Sequence, residues 1–219
     1  MLLMDAGAEG LMNYCSDYTR CLPINGKFTA KQQEIYEIVL KANLSAIDAA
    51  HPGMYNRDLH QYACEILTDG LKAVGLMKGD TKEAVRVGAH ALFMPHGLGH
   101  QIGLDVHDME GLGQIYVGYD ETVQPSDIFG WNALRMAREL KPGFVVSIEP
   151  GIYFIPQLID MWKNEKKFPE FINYDMVEKY RYFGGIRIED DLLITETGHR
   201  VLGPHLPKKV EELADVIGK

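Results

Sequence analysis

Cysteine is scarce in this sequence of 219 residues, and its placement excludes a disulfide framework. The three cysteines, Cys15, Cys21 and Cys64, are odd in number and contain no CxxC pair. Disulfide-stabilised domains usually carry an even number of cysteines at close spacing. We therefore expect reduced thiols and a cytoplasmic location.

Long apolar runs and excess positive charge are also missing. No stretch reaches the roughly 18 apolar residues that span a membrane, and Asp5 follows Met1 too closely for a signal-peptide apolar region. Lys and Arg number 22 against 31 Asp and Glu, which gives a net charge of -9. This net negative charge argues weakly against a nucleic-acid partner, because nucleic acid binds to a basic patch. A locally positive pocket is still compatible with the net charge. We expect neither nucleic acid nor membrane as a partner.

The chain contains no linker, low-complexity tract or strong repeat. It opens on an apolar segment, residues 1–7, that is typical of a buried strand. This opening fits either a very compact protein or the back part of a longer one. A second strand over residues 14–23 would form an antiparallel hairpin with the first.

Helical periodicity predicts a helix from the Thr29 cap to about Ala50, a second from Asn56 or Asp58 to about Val74, and a third near residues 82–87. Residues 132–140 are predicted as a helix or a turn, and residues 210–217 as a terminal helix. The apolar run 144–154 is typical of a strand buried on both faces. Residues 184–195 form a further predicted strand, after a polar insertion over 157–182.

Three histidines, His96, His100 and His107, fall within twelve residues and are spaced by glycines. A single histidine is commonly a hydrogen-bonded core residue, but this explanation fits three of them in a glycine-rich run much less well. Histidine binds metal through a neutral ring nitrogen and titrates near neutral pH. The run alone does not decide between metal binding and proton transfer.

Four acids lie on predicted strands: Asp5, Asp17, Glu149 and Glu189. Asp is depleted in strands, so each Asp is either a turn former or a ligand. Glu149 interrupts an apolar run, where a charge is costly unless it is paired or bound to a cation. Glu189 shares a face with Arg187, which also fits a surface salt bridge.

Together with one neutral histidine, these acids carry a charge of -4, which balances two divalent cations. Two metals roughly 3.5–4 Å apart can hold and acidify a water molecule. Acids on strands also pair with arginines, so spacing alone leaves both interpretations open.

Five motifs resemble those of the pita-bread metallopeptidases, the group that contains methionine aminopeptidase, aminopeptidase P and prolidase. They are MDAGAE, YCSDYTR, HGLGHQIGLDVHD, SIEPGIYF and GGIRIEDD, and they span nearly the whole chain in the family's order. The resemblance implies an α+β fold in which a curved antiparallel sheet carries helices on its outer face. It also implies two divalent metal ions, with Mn²⁺ expected and Zn²⁺ or Co²⁺ as alternatives.

The resemblance also implies residue roles. Asp5 would chelate one metal, Asp17 and Glu189 would bridge both, and His100 and Glu149 would bind the second. Glu149 would also accept the proton of the attacking water. The remaining roles are donation to the substrate or intermediate by His96 and His107, and support of the bridging carboxylates by Arg187.

Two features of the sequence depart from the family pattern. The second Asp follows the first by twelve positions instead of eleven, which we interpret as a bulge or a longer hairpin turn within residues 10–13. The family's N-terminal domain, opening helices and additional histidine are absent. We therefore expect residues 1–219 to be the catalytic C-terminal portion of a longer enzyme, homodimeric at full length, and to have weak or no activity alone.

Within the family, the insertion after EPGIYF favours an Xaa-Pro dipeptidase, whose substrate is a small peptide with proline second. Arg135 lies where prolidases bind the free carboxylate of the dipeptide, although it also fits an ordinary solvated helix residue. The alternatives are an Xaa-Pro aminopeptidase, a single-metal structural site, and a non-catalytic binding protein with the same fold.

Overall fold

A computed structural model describes residues 1–217 as an α+β fold. Its helices are α1 (Ala30–Ala49), α2 (Asn56–Ala73), α3 (Thr81–Arg86), α4 (Gln114–Val117), α5 (Pro156–Asn164), α6 (Tyr174–Glu178) and α7 (Val210–Val216). Its strands are β1 (Leu2–Ala6), β2 (Tyr18–Leu22), β3 (Val145–Ile148), β4 (Gly151–Phe154), β5 (Gly184–Arg187), β6 (Asp190–Ile194) and β7 (His199–Val201). None of the helices in these residues is both long and apolar enough to cross a lipid bilayer.

All the strand pairs are antiparallel. They form the groups β1-β2, β3-β6-β7 and β4-β5. One single bridge joins Thr19 of β2 to Glu189, which lies between β5 and β6, and another attaches Gln101 to Val146 of β3. The buried apolar core lies between these strands and the two long helices. Helix α1 contributes Val39 and Ile47 to this core. The predicted α+β class with an antiparallel sheet is confirmed.

The two long strands predicted for the second half of the chain are each broken in the middle. Residues 144–154 divide into β3 and β4, and residues 184–195 divide into β5 and β6. The pairing register is nevertheless the same on both sides of the break, from Ile148 opposite Asp190 to Gly151 opposite Arg187. Pro150 contributes to the interruption because it has no N–H to donate to the ladder.

Helix α1 begins as its sequence predicts, whereas α2 does not. Thr29 caps α1 in a capping box with Gln32. The N-cap of α2 is Tyr55, which makes no side-chain cap. The predicted cap Asn56 is instead buried, and its amide donates to the Met136 carbonyl at 2.7 Å. The Asn56 side chain is therefore engaged in a tertiary hydrogen bond and does not cap the helix.

Strand β1 is not the buried strand that its apolar residues predict. Leu2 and Met4 each remain 49% exposed. Within the described residues, β1 pairs only with β2. Likewise, the predicted helix or turn over 132–140 is reduced to a short 3-10 turn at Trp131–Ala133.

The backbone of Gly99 lies against β3, which makes it sensitive to substitution. A Cβ at this position would lie far inside van der Waals contact with the carbonyl oxygen of Ser147. We predict that Gly99→Ala lowers the free energy of unfolding by about 1–3 kcal/mol, as expected for overpacking. Gly198→Ala is the matched control because its Cβ would meet nothing within 4 Å. Urea denaturation of both variants tests this, and equal stability would contradict it.

Candidate active site

The acids and histidines singled out by the sequence line a single cavity of about 300 Å³. Its walls include Asp5, Asp17, His96, His100, His107, Arg135, Glu149, Arg187 and Glu189. A pocket of this size is suited to a small ligand. The question is how the backbone brings groups so distant in sequence to one place.

The hairpin of β1 and β2 places Asp5 and Asp17 on one face. Asp5 lies opposite Thr19, and the Glu9–Cys15 bridge continues the same register. The strand predicted over residues 14–23 is shorter, and Asp17 directly precedes it; because the chain keeps the same register there, Asp17 shares a face with Thr19 and lies diagonal to Asp5. The twelve-residue spacing is absorbed by a longer turn at Leu11–Asn13, in which Met12 has a positive φ of 65°.

Backbone hydrogen bonds hold His100 against β3. Its carbonyl accepts from the Ser147 N–H at 2.9 Å, and its own N–H donates to Ser147 Oγ at 3.1 Å. Its Nδ1 donates to the Gln101 carbonyl at 3.1 Å, which leaves the lone pair on Nε2. That nitrogen lies 3.5 Å from Asp17 Oδ2 and 3.4 Å from Glu149 Oε1.

Glu149 and Glu189 lie at the breaks between strands, where the common register brings them opposite each other. The sequence predicts both on continuous strands, and the structure corrects this placement. Burial raises the pKa of Glu149 to about 7, although the nearby charges of His100 and Arg187 oppose the shift. Burial together with the negative charge of Glu149 raises the pKa of Glu189 to about 8.

Asp17 and His100 stabilise each other's charged forms. Burial opposes the ionisation of Asp17, but the hydrogen bond and charge of His100, together with Asp5 and Arg187, outweigh it and lower the pKa of the carboxyl. Burial likewise opposes protonation of His100, but Asp17 and the charge of Glu149 raise the imidazole pKa. The backbone N–H of Asp17 donates to Asp191 Oδ2 at 3.0 Å.

Arg187 is the main positive group among these carboxylates. It donates to Asp5 and to Thr19 Oγ1, and its Nε lies 3.8 Å from Glu149 and 3.7 Å from Glu189. The sequence-based interpretation as a surface salt bridge is therefore wrong, because Glu189 is only 1% exposed.

The other two histidines lie at the rim of the acid cluster. His96 donates from Nδ1 to the Gly97 carbonyl at 2.7 Å and contacts the Tyr153 hydroxyl at 3.0 Å through Nε2. Burial lowers the pKa of His96 to about 4, so the ring is neutral at pH 7 and has no free N–H to donate. His107 is exposed, and its Nδ1 faces Arg135 Nη1 at 3.4 Å, which assigns its own N–H to Nε2.

The donor set fits a cation. The Nε2 lone pair of His100 points at two carboxylates, an arrangement that needs a proton or a metal ion between the groups. Glu189 Oε1 is buried and has no hydrogen-bond partner within residues 1–217. The ligand atoms of Asp17, His100 and Glu189 lie within 4.8 Å of one another. Carboxylates with one imidazole favour divalent metals of the manganese and zinc type.

Sequence reasoning missed three residues that organise this cavity. Asn43 of α1 donates to the carbonyls of Ile148 and Ile188 at 3.0 and 3.2 Å, directly before the two glutamates. Tyr153 joins His96 to Arg187, and Thr19 donates to Glu189. Tyr153 lies within the SIEPGIYF motif and Thr19 within YCSDYTR, so the motifs were the available signal. Nothing in the sequence marks Asn43.

The structure thus combines an antiparallel α+β fold of the pita-bread class with a carboxylate-rich cavity whose residues fit metal ions. A family model for metallopeptidase family M24 matches residues 1–196, and the chain belongs to that family. Solved structures agree: a zinc-substituted Escherichia coli aminopeptidase P in complex with product has a TM-score of 0.72 and 36% identity. That match covers 97% of this chain and 40% of the aminopeptidase.

The curated relatives include two kinds of proline-specific peptidase. Human Xaa-Pro dipeptidase is 40% identical over 215 residues, which are 97% of this chain and 41% of the human protein. A probable Xaa-Pro aminopeptidase of Fusarium vanettenii is 39% identical over 216 residues, 99% of this chain and 44% of that protein. The chain thus spans less than half the length of the curated relatives it matches.

We predict that the chain stripped of divalent cations loses stability as the pH rises from about 6.5 to about 8, above the interval in which the lowered pKa values of His60, His90 and His96 oppose this trend. The folded-state pKa values of Glu149 and Glu189 lie above their ordinary value of 4.5, so the folded state holds more protons than the unfolded state in this interval. The free energy of unfolding then falls with rising pH. The raised pKa of His100 acts in the same direction, because its stabilisation is present at low pH and lost as pH rises.

Urea denaturation in chelator, compared with added Mn²⁺, measures this effect. Mn²⁺ should stabilise the chain more at pH 8 than at pH 5, and Glu189→Gln should flatten the pH dependence in chelator. Stability that increases from pH 6.5 to pH 8 without metal would contradict the carboxylate repulsion.

Proposed function

We propose that residues 1–219 are the catalytic portion of a longer Xaa-Pro dipeptidase that uses two divalent metal ions, with Mn²⁺ preferred. The observation that supports this most directly is the convergence of four carboxylates and the His100 lone pair on one cavity. Family membership and the 40% identity to human Xaa-Pro dipeptidase support the reaction class. A homodimer at full length is part of the same proposal.

Each residue has a proposed role at the metal centre. Asp5 would hold one ion, His100 and Glu149 the other, and Asp17 and Glu189 both. Two such ions supply a lowered pKa for bound water and charge stabilisation for a tetrahedral intermediate. Arg187 keeps Asp5 in place and partly compensates the charge of Glu149 and Glu189.

Proton transfer is proposed for Glu149. Its carboxylate would accept a proton from the attacking water and deliver it to the leaving amine. A group with a pKa near neutrality is suited to this exchange, and Glu149 lies there in the metal-free protein. His107 carries an N–H on Nε2 at the rim of the cavity and would donate it to the substrate carbonyl. His96 would donate from Nε2 only after leaving Tyr153 and gaining a proton on that nitrogen, because its Nδ1–H is bound to the Gly97 carbonyl.

Substrate length is the finer part of the proposal. Arg135 lines the cavity, and its contacts with His107 and Glu110 both use Nη1. Its Nε and Nη2 make no hydrogen bond to the described residues, so they could receive a substrate carboxylate bidentately. The carboxylate of a dipeptide would reach this guanidinium, whereas a longer peptide would extend past it. An Xaa-Pro aminopeptidase is the second candidate, favoured by the Fusarium relative.

We predict that Glu149→Gln lowers kcat for Gly-Pro hydrolysis by about 10²–10⁴-fold, the usual contribution of a positioned acid–base group. The assay uses the full-length enzyme with Mn²⁺, and elemental analysis of both proteins counts bound metal. Glu196→Gln is the control because Glu196 is exposed and lies outside the cavity. Unchanged turnover in Glu149→Gln would reject the assigned role.

A second variant separates dipeptidase from aminopeptidase. Arg135→Ala should raise KM for Xaa-Pro dipeptides by about 10–100-fold, because charge-assisted hydrogen bonds contribute about 1.5–3 kcal/mol. Xaa-Pro-Yaa tripeptides should be affected much less. The exposed Arg200→Ala provides the control. An equal effect on both substrates, or none, favours the aminopeptidase.

A further inference from the structure

A second group of metal-binding side chains lies outside the catalytic cavity. His60 and Cys64 are one turn apart on α2 and therefore share a face. His90, from the 3-10 helix at Ala89–Leu92, completes the group, and one ligand atom from each residue lies within 4.8 Å of the others. None of the three lines the carboxylate cavity. We call these residues the His-Cys-His cluster.

The side chains of the cluster are buried, and their hydrogen-bonding groups are incompletely paired. His60 and Cys64 are 0% exposed and His90 is 2% exposed. Neither ring nitrogen of His90 makes a hydrogen bond within residues 1–217. Trp131 contacts the two imidazole rings edge-on, but its indole N–H donates to the Val85 carbonyl. The nearby Val85 carbonyl can serve at most one His90 nitrogen and already accepts from Trp131, so at least one nitrogen of this buried ring calls for a further partner.

The separations within the cluster match those around a shared ion, although the His60 ring must turn to direct a lone pair at it, because the Cys64 sulfur is nearly equidistant from both ring nitrogens. Cys64 Sγ lies 3.6 Å from Nε2 and 3.8 Å from Nδ1 of His60. Bonds of roughly 2.0 Å to imidazole and 2.3 Å to thiolate that meet at about 110–120° separate the two ligand atoms by about 3.6–3.8 Å. A direct hydrogen bond between the thiol and the imidazole fits the same distance, but it gives His90 no partner.

We propose that His60, Cys64 and His90 form a buried three-ligand site for Cu(I). Thiolate is a soft ligand that selects Cu(I), and imidazole suits copper. One thiolate and one Cu(I) ion sum to zero charge, whereas Zn²⁺ would leave a net positive charge in a buried site and would seek a fourth ligand. The hard carboxylates of the catalytic cavity suit a different class of metal, so the two sites would not compete strongly.

The protonation states are compatible with this assignment. Burial lowers the pKa of His60 and of His90, so both rings are neutral and can each offer a lone pair. Burial raises the pKa of the Cys64 thiol, so the residue is a thiol before binding. Binding forms a Cu–S bond, breaks the S–H bond and releases one proton to solvent, and no oxidant or reductant is consumed.

The test is an anaerobic titration of the purified chain with Cu(I), buffered by a competing chelator after removal of divalent metals. We expect one equivalent to bind with a thiolate-to-copper charge-transfer absorption in the ultraviolet. Cys64→Ala should abolish this absorption, and His90→Leu should weaken binding at least 100-fold. Cys15→Ser is the matched control, because Cys15 is only partly buried and lies outside the cluster; it should bind as the unmodified chain does.

X-ray absorption of the copper-loaded, unmodified chain provides a second measurement that does not depend on the folding of variants. One sulfur and two nitrogen ligands are expected. Nitrogen and oxygen ligands alone, or an absorption unchanged in folded Cys64→Ala, would overturn the proposal. Tighter binding of Zn²⁺ than of Cu(I) at Cys64 would overturn the choice of ion. None of these results depends on peptidase activity, so the inference can fail while the proposed function holds.

Discussion

Repulsion among buried carboxylates is the constraint on which the arrangement of the central cavity depends. Glu149 and Glu189 lie opposite each other in one register, and burial raises the pKa of both. Within the described residues, Arg187 and His100 supply the positive charge and hydrogen bonds that oppose this repulsion. A bound cation is the most direct way to offset the repulsion that Arg187 and His100 leave, because it replaces repulsion between the acids with attraction to a shared charge.

The local break in the strand pair makes this clustering compatible with the fold. Two uninterrupted strands would use their carbonyls in the ladder, whereas here the carbonyls of Ile148 and Ile188 accept from the Asn43 amide. A buried carbonyl needs such a donor. Helix α1 thereby fixes the backbone immediately before each glutamate, and the rigid elements around the break hold the cavity in shape. Asn43 also contacts Lys208 Nζ through its Oδ1 at 2.8 Å, which fixes the amide orientation.

The two clusters of potential ligands differ in chemistry because their surroundings differ. The carboxylate cavity is open and polar, with charged groups that attract a hard divalent ion. The His-Cys-His cluster is enclosed by α2, the 3-10 helix at Ala89–Leu92 and Trp131, and burial keeps its members neutral. A neutral, enclosed set with one sulfur suits a soft monovalent ion better than a divalent one.

Local pattern was sufficient to predict α1 with its Thr29 cap and the hairpin pairing of β1 with β2, whereas the acids and histidines that line the cavity were assigned to one site by the resemblance of five motifs to a family. These features follow from periodicity, capping chemistry and motif order, each of which is encoded in neighbouring residues. Tertiary structure alone decided the break at Glu149 and Glu189, the exposure of β1, the role of Asn43 and the approach of His90 to Cys64. Each depends on which distant backbone or side chain becomes the partner, because a buried polar group adopts the position in which its hydrogen bonds are met.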